Sequence, residues 1–153
     1  MAGMISPGGM EPYCATKFAV VAMSEGWAQQ LAPLNIGVSV LCPGFVRTRI
    51  HESGRTRQEK YGGRGEVDAL GGGASEAAQM VMNGIDPDIA GTRALEAMKA
   101  GELYIFTHPQ MREFVAMRFQ SILGAFNTAA ESEALKAVKE WAPVVPRPPV
   151  TPQ

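Results

Sequence analysis

The chain has 153 residues, 46% hydrophobic and 19% charged, the composition of an ordinary soluble one-domain globular chain rather than a disordered or membrane-embedded one. Fourteen Lys and Arg against fifteen Asp and Glu leave a net charge of -1, so no bulk attraction to nucleic acid or to a membrane surface is expected. Two cysteines without CxxC spacing, two histidines, and an opening "MAGMISPGGMEP" with no basic start or long apolar run indicate neither a disulfide framework, a zinc cluster nor a signal peptide, and point to a reducing, cytoplasmic setting.

After the Gly/Pro-rich opening, residues 13–31 carry the pattern of a helix whose first half, through Ala15, Phe18, Ala19, Val20, Val21, Ala22 and Met23, is apolar nearly all round. Such a helix needs cover on two sides. "PLN" ends it, and "IGVSVLC", residues 36–42, is a β-branched run suited to a buried parallel strand, closed by Pro43 and Gly44. From 45 to 84 the pattern fades into charges and glycines, expected to form a mobile loop with a short helical piece. Asp86 and Pro87 make a helix cap and first turn, followed at helical spacing by Ala90, Ala94, Ala97 and Met98 until Gly101. "LYIFT", residues 103–107, reads as a second strand, and Pro109 opens a helix with Met111, Phe114, Val115, Ile122 and Phe126 near one face. A last amphipathic helix is expected over 129–141, through Ala134, Val138 and Trp141, before an extended tail with five prolines in residues 142–153. The alternation of helices and strands argues for an α/β layer with parallel strands.

Within the first helix, Tyr13 and Lys17 stand four residues apart and share a face. An ammonium beside a phenol favours the phenolate, and the positive end of the helix dipole acts in the same sense, which suits general acid/base work. Chance alone gives a Tyr-x-x-x-Lys in a chain of this composition about one time in ten. The context adds weight, because the next strand ends in Pro43-Gly44, and ligands of α/β sheets bind beyond the carboxyl ends of strands. A plain turn is the competing account of Pro43-Gly44.

These segments, "YCATK" at 13–17 and "PGFVRT" at 43–48, closely resemble those of the classical short-chain dehydrogenases/reductases, with Thr16 where the family usually has serine. The resemblance implies a Rossmann-like, doubly wound parallel sheet and hydride transfer with NAD or NADP between a small-molecule ketone and a secondary alcohol. It makes Tyr13 the general acid or base. It makes Lys17 the residue that holds the nicotinamide ribose and assists Tyr13. Pro43, Gly44 and Val46 would form the wall against the nicotinamide, with the Val46 backbone facing the carboxamide, and Thr48 would offer its hydroxyl to the cofactor.

No TGxxxGxG turn or Asn-Asn-Ala-Gly segment occurs, and the family's serine would fall immediately before Met1. Residues 1–141 therefore resemble the carboxyl-terminal portion of the family's domain, with 142–153 a proline-rich tail. The isolated chain is expected to be inactive and its full-length form a homo-oligomer; the alternative is a non-catalytic interaction module derived from such an enzyme. Cys14 is read as a packing residue, and His51 and His108 as solvated loop residues without metal-ligand spacing. The glycines at 62, 63, 65 and 71–73 match no phosphate cradle, and Arg47, Arg49, Arg55, Arg57 and Arg64 read as a solvated lid.

Overall fold

The computed structural model describes residues 1–50, 52, 58–61 and 76–140. The expectations for His51, for Arg55, Arg57 and Arg64, for the glycine clusters between 62 and 73, for Trp141 and for the proline tail lie outside those residues. Among the described residues the chain forms α1 (Glu11–Leu31), β1 (Val40–Cys42), α2 (Glu76–Met82), α3 (Pro87–Lys99), β2 (Tyr104–Phe106), α4 (Arg112–Ala130) and α5 (Glu133–Lys136), with 3-10 turns at Ala32–Leu34, Glu59–Tyr61 and Pro109–Met111. No described helix is long and apolar enough to cross a membrane.

The sheet is the parallel pair β1-β2, in register Val40↔Tyr104, Leu41↔Ile105 and Cys42↔Phe106. Two parallel strands with α2 and α3 between them in the chain fit an α/β Rossmann-like fold. Both strands are shorter than the sequence pattern suggested. Ile36, half exposed, stands outside the ladder, and the isolated bridge Val46↔Ile85 continues the pairing past the end of β1.

Alternation along the strands separates two faces. Val40 and Cys42 pack with Met4 and with Val21 of α1, and Tyr104, Phe106 and Val115 complete that cluster. Leu41 and Ile105 point the other way. Ile105 is 2% exposed, whereas its register partner Leu41 is 45% exposed, so that second face is covered over β2, against which α3 lies, and open over β1.

Helix α1 buries one stripe, Cys14, Val21, Ser24 and Ala28, spaced to fall on a single side. Buried Ser24 satisfies its hydroxyl by donating to the Val20 carbonyl at 2.8 Å. The flank beside it, with Val20, Met23 and Trp27, is exposed, so the expected cover on two sides is present on one. Helix α3 begins as expected: the Asp86 carboxylate accepts from the Asp88 amide at 2.9 Å, and Pro87 occupies the first turn. It ends in a Schellman motif, with Gly101 at φ 71° and its amide on the Met98 carbonyl, and the Glu102 amide on the Ala97 carbonyl.

Two helical expectations change. Pro109 opens a 3-10 turn, and α4 starts only at Arg112. The helix expected over 129–141 is interrupted at Glu131 and Ser132, where the backbone of Ser132 is extended, leaving the single turn of α5. Val115 of α4 packs on the core cluster, but most of that helix's large apolar side chains stay open: Phe114, Met117, Phe119, Leu123 and Phe126 are all about half exposed or more.

Candidate active site

Helix α1 runs antiparallel to the strands, and that direction decides where Tyr13 and Lys17 lie. Glu25, late in α1, accepts a hydrogen bond from the Tyr104 hydroxyl at 2.6 Å, at the start of β2. Val21, one turn earlier, packs on Val40 and Cys42. At 1.5 Å of rise per residue, Tyr13 lies roughly 18 Å from Glu25 along the helix, toward the carboxyl ends of both strands. That is the edge of an α/β sheet at which ligands bind.

Both side chains are exposed there, and the Lys17 ammonium stands 5.3 Å from the centre of the Tyr13 ring, within cation–π range. The intervening Thr16 donates its hydroxyl to the Tyr13 carbonyl at 2.7 Å. Cys14, between them in sequence, is 1% exposed on the buried stripe, so it packs and does not line the open surface.

The second group of sequence-selected residues follows β1. Pro43, Gly44 and Val46 are half buried and Thr48 is exposed. The Ile85 amide donates to the Phe45 carbonyl at 3.0 Å, and the Arg47 amide donates to the Ile85 carbonyl at 2.9 Å. In a strand the amide and carbonyl of successive residues point to opposite sides, so the N–H and C=O of Val46 face away from Ile85. Arg47 also pairs with Asp86 at 2.5 Å, which ties the loop to the cap of α3. The Asp88 amide first, and then the Arg47 guanidinium, hold the Asp86 carboxyl below the usual range.

Sequence reasoning missed His108. The sequence pattern gives a solvated loop residue, yet His108 is 8% exposed, and its imidazole packs on Gly44. The Gly44 amide donates to His108 Nδ1 at 3.2 Å. A signal was available: His108 directly follows the second expected strand, at the sheet edge where ligands bind.

Neither cysteine offers reactive chemistry. Both are buried and free, and burial pushes the Cys42 thiol up. Among the described residues no group of three or more His, Cys, Asp and Glu side chains could hold a metal ion. A surface groove of about 670 Å³ lies elsewhere, between α3 and the end of β2, lined by Ile89, Thr92, Arg93, Glu96, Phe106 and Thr107 among others. Neither Tyr13 nor Lys17 borders it, and the chemistry of the Tyr13 edge is the better guide to a site.

Residues 1–59 match the family model described as short chain dehydrogenase. A C alpha-dehydrogenase of Sphingobium sp. is 33% identical over 112 residues, which cover 73% of this chain and 36% of that protein. A CLA biosynthesis dehydrogenase/reductase of Lactiplantibacillus plantarum is 30% identical over 129 residues, covering 80% of this chain and 45% of the relative. Among solved structures, a short chain dehydrogenase/reductase from Burkholderia phymatum in complex with NAD superposes with a TM-score of 0.65 at 32% identity, covering 79% of this chain and 44% of that one. The chain thus spans between a third and a half of the length of the relatives it matches.

Proposed function

Since the chain belongs to the short-chain dehydrogenase/reductase family, we propose that residues 1–141 form the carboxyl-terminal portion of an NAD- or NADP-dependent oxidoreductase that interconverts a small-molecule ketone and a secondary alcohol. The observation that carries this reading is the Tyr13–Lys17 pair, side by side on an exposed helical face at the carboxyl ends of parallel strands. The nicotinamide cofactor, when bound, supplies or takes the hydride. Tyr13 gives its phenolic proton to the carbonyl oxygen in reduction and takes one from the alcohol in oxidation. Lys17, beside the Tyr13 ring, holds the ribose hydroxyls.

The loop after β1 fits a cofactor at this edge. The Val46 amide and carbonyl, turned away from Ile85, are available to a carboxamide, Pro43 and Gly44 give a wall, and Thr48 adds an exposed hydroxyl. The exposed Val20, Met23 and Trp27 of α1 support a homo-oligomer for the longer form, and two buried, free thiols agree with a cytoplasmic setting. We also hold that the 153-residue chain alone lacks hydride-transfer activity, because no TGxxxGxG turn is present in its sequence to anchor the cofactor pyrophosphate.

The test uses a chimera that places the amino-terminal part of the Burkholderia phymatum relative ahead of Met1. Tyr13→Phe in that chimera should reduce turnover by about 100-fold or more while cofactor affinity stays within about twofold, since only the acidic proton is removed. Turnover near that of the unsubstituted chimera would refute the role of Tyr13. The uncovered apolar side of α4 favours a second reading, a non-catalytic interaction module. That reading requires the chimera to bind neither NADH nor NADPH.

A further inference from the structure

The ladder between β1 and β2 ends at Cys42↔Phe106, and the residue that follows β1, Pro43, has no N–H with which to extend it. Counting on in the same register, Gly44 stands opposite His108. There a side chain takes over the pairing. The Gly44 amide donates to His108 Nδ1 at 3.2 Å and lies 3.4 Å from Thr107 Oγ1, while Thr107 Oγ1 and His108 Nδ1 are 2.7 Å apart. A Cβ added to Gly44 would fall 2.6 Å from His108 Cγ and 2.8 Å from both Cδ2 and Nδ1, so only glycine lets the ring lie this close.

A neutral imidazole has one donor and one acceptor nitrogen. The Gly44 amide can only donate, so Nδ1 is the acceptor and the ring proton is on Nε2. The Thr107 hydroxyl then donates to Nδ1, and its oxygen shares the Gly44 N–H. From this geometry we propose that His108, as the Nε2–H tautomer, is a positioning residue: its Nδ1 fixes the Gly44 peptide and, through it, the course of the loop from Pro43 to Val46. The functional part rests on the reading above, in which that loop is the wall against the nicotinamide. The polar contacts of His108 go to Gly44 and Thr107, so it acts through Gly44.

The test has two arms. In the 153-residue chain, nitrogen NMR of labelled histidine and glycine should show the His108 ring locked as the Nε2–H tautomer and the Gly44 amide protected from hydrogen exchange. His108→Leu should reduce that protection at least about tenfold. His108→Asn, which places an amide oxygen near the position of Nδ1, should restore most of it, and His108→Gln, which mimics Nε2, should not. The opposite tautomer, equal protection in the Leu variant, or rescue by Gln in place of Asn would each overturn the proposal. In the chimera, His108→Leu should weaken NADH binding several-fold and Asn should recover it. Unchanged binding in the Leu variant would overturn the positioning role toward cofactor. If the unsubstituted chimera binds no NADH, the functional reading fails, and the exchange arm still decides whether His108 holds Gly44.

Discussion

Replacing Gly44 by alanine adds one methyl group at a point where the structure leaves no room for it. The backbone of Gly44 is not in the left-handed region, so the cost comes from contact and not from φ. The new Cβ would sit 2.6 Å from His108 Cγ, well inside ordinary van der Waals separation, and the ring is 8% exposed, with little open space to retreat into. Overpacking of this kind costs about 1–3 kcal/mol, and displacing the ring also loses a hydrogen bond worth about 1 kcal/mol. We expect Gly44→Ala to lower stability by about 2–4 kcal/mol, a large share of a typical domain's margin. Equilibrium urea unfolding followed by circular dichroism measures it. The decisive comparison is the double variant with His108→Ala, which removes the clashing ring, so that alanine at 44 should cost at least about 1 kcal/mol less there than in the parent. If Gly44→Ala is neutral, or costs the same with and without the His108 ring, the contact does not constrain the loop.

Three further outcomes are expected. Lys17→Ala in the chimera should weaken cofactor binding and reduce turnover, each by about tenfold or more, since on the proposed reading one charged group serves both steps; unchanged cofactor affinity would remove its ribose-holding role. Burial, and then the hydrogen bond to Glu25, raise the Tyr104 phenol from 10.0 to about 12, so the fold favours the protonated form. Its contribution is fully present below pH 10 and is lost as pH rises from 10 to about 12. After discounting for solvent screening this is about 1 kcal/mol, and Tyr104→Phe should flatten that part of the melting-temperature profile; an unchanged alkaline slope would contradict the assignment. The 153-residue chain should also self-associate through the uncovered apolar residues of α4, giving a light-scattering mass above 16.3 kDa that Leu123→Glu with Phe126→Glu reduces; a parent that stays monomeric at about 50 micromolar would refute this.

What the sequence disclosed was mostly local. Tyr13 and Lys17 share a helical face by spacing alone, Asp86 caps α3 with its own side chain, and Gly101 stops that helix through a Schellman motif, all within a few residues. The order of helices and strands was legible for the same reason, because short periodic runs carry it. The ends of the strands were not, since a residue belongs to the ladder only if a partner stands opposite it, and nothing in Ile36 reveals that β2 supplies none. Burial of His108 was hidden more deeply. Its contact with Gly44 joins residues 64 apart and depends on the register of β1 against β2. The break at Glu131 and Ser132 was missed because the apolar spacing runs across it, while Ser132 is the kind of residue that begins a new helix.

This contrast between local and long-range determinants divides the candidate site in two. The Tyr13–Lys17 geometry is set inside one helix and needs only that α1 persist. The loop from Pro43 to Val46 is set from outside, by His108 past the end of β2 and by Ile85 ahead of α3, so it exists only while those elements are docked. Loosening the sheet should therefore uncouple the halves, leaving the proposed acid/base pair formed but the proposed cofactor wall undefined. On the face shared by Leu41 and Ile105 the described residues seal Ile105 and leave Leu41 exposed, while the other face of β1 is packed by Met4 and Val21. Further structure packed over β1 would bury Leu41 on the face opposite Cys42, stiffening the strand from which the loop departs. On the proposed reading, packing over β1 supports the loop from Pro43 to Val46 more than the Tyr13–Lys17 pair, so weaker cofactor binding is the defect expected when that packing is loosened.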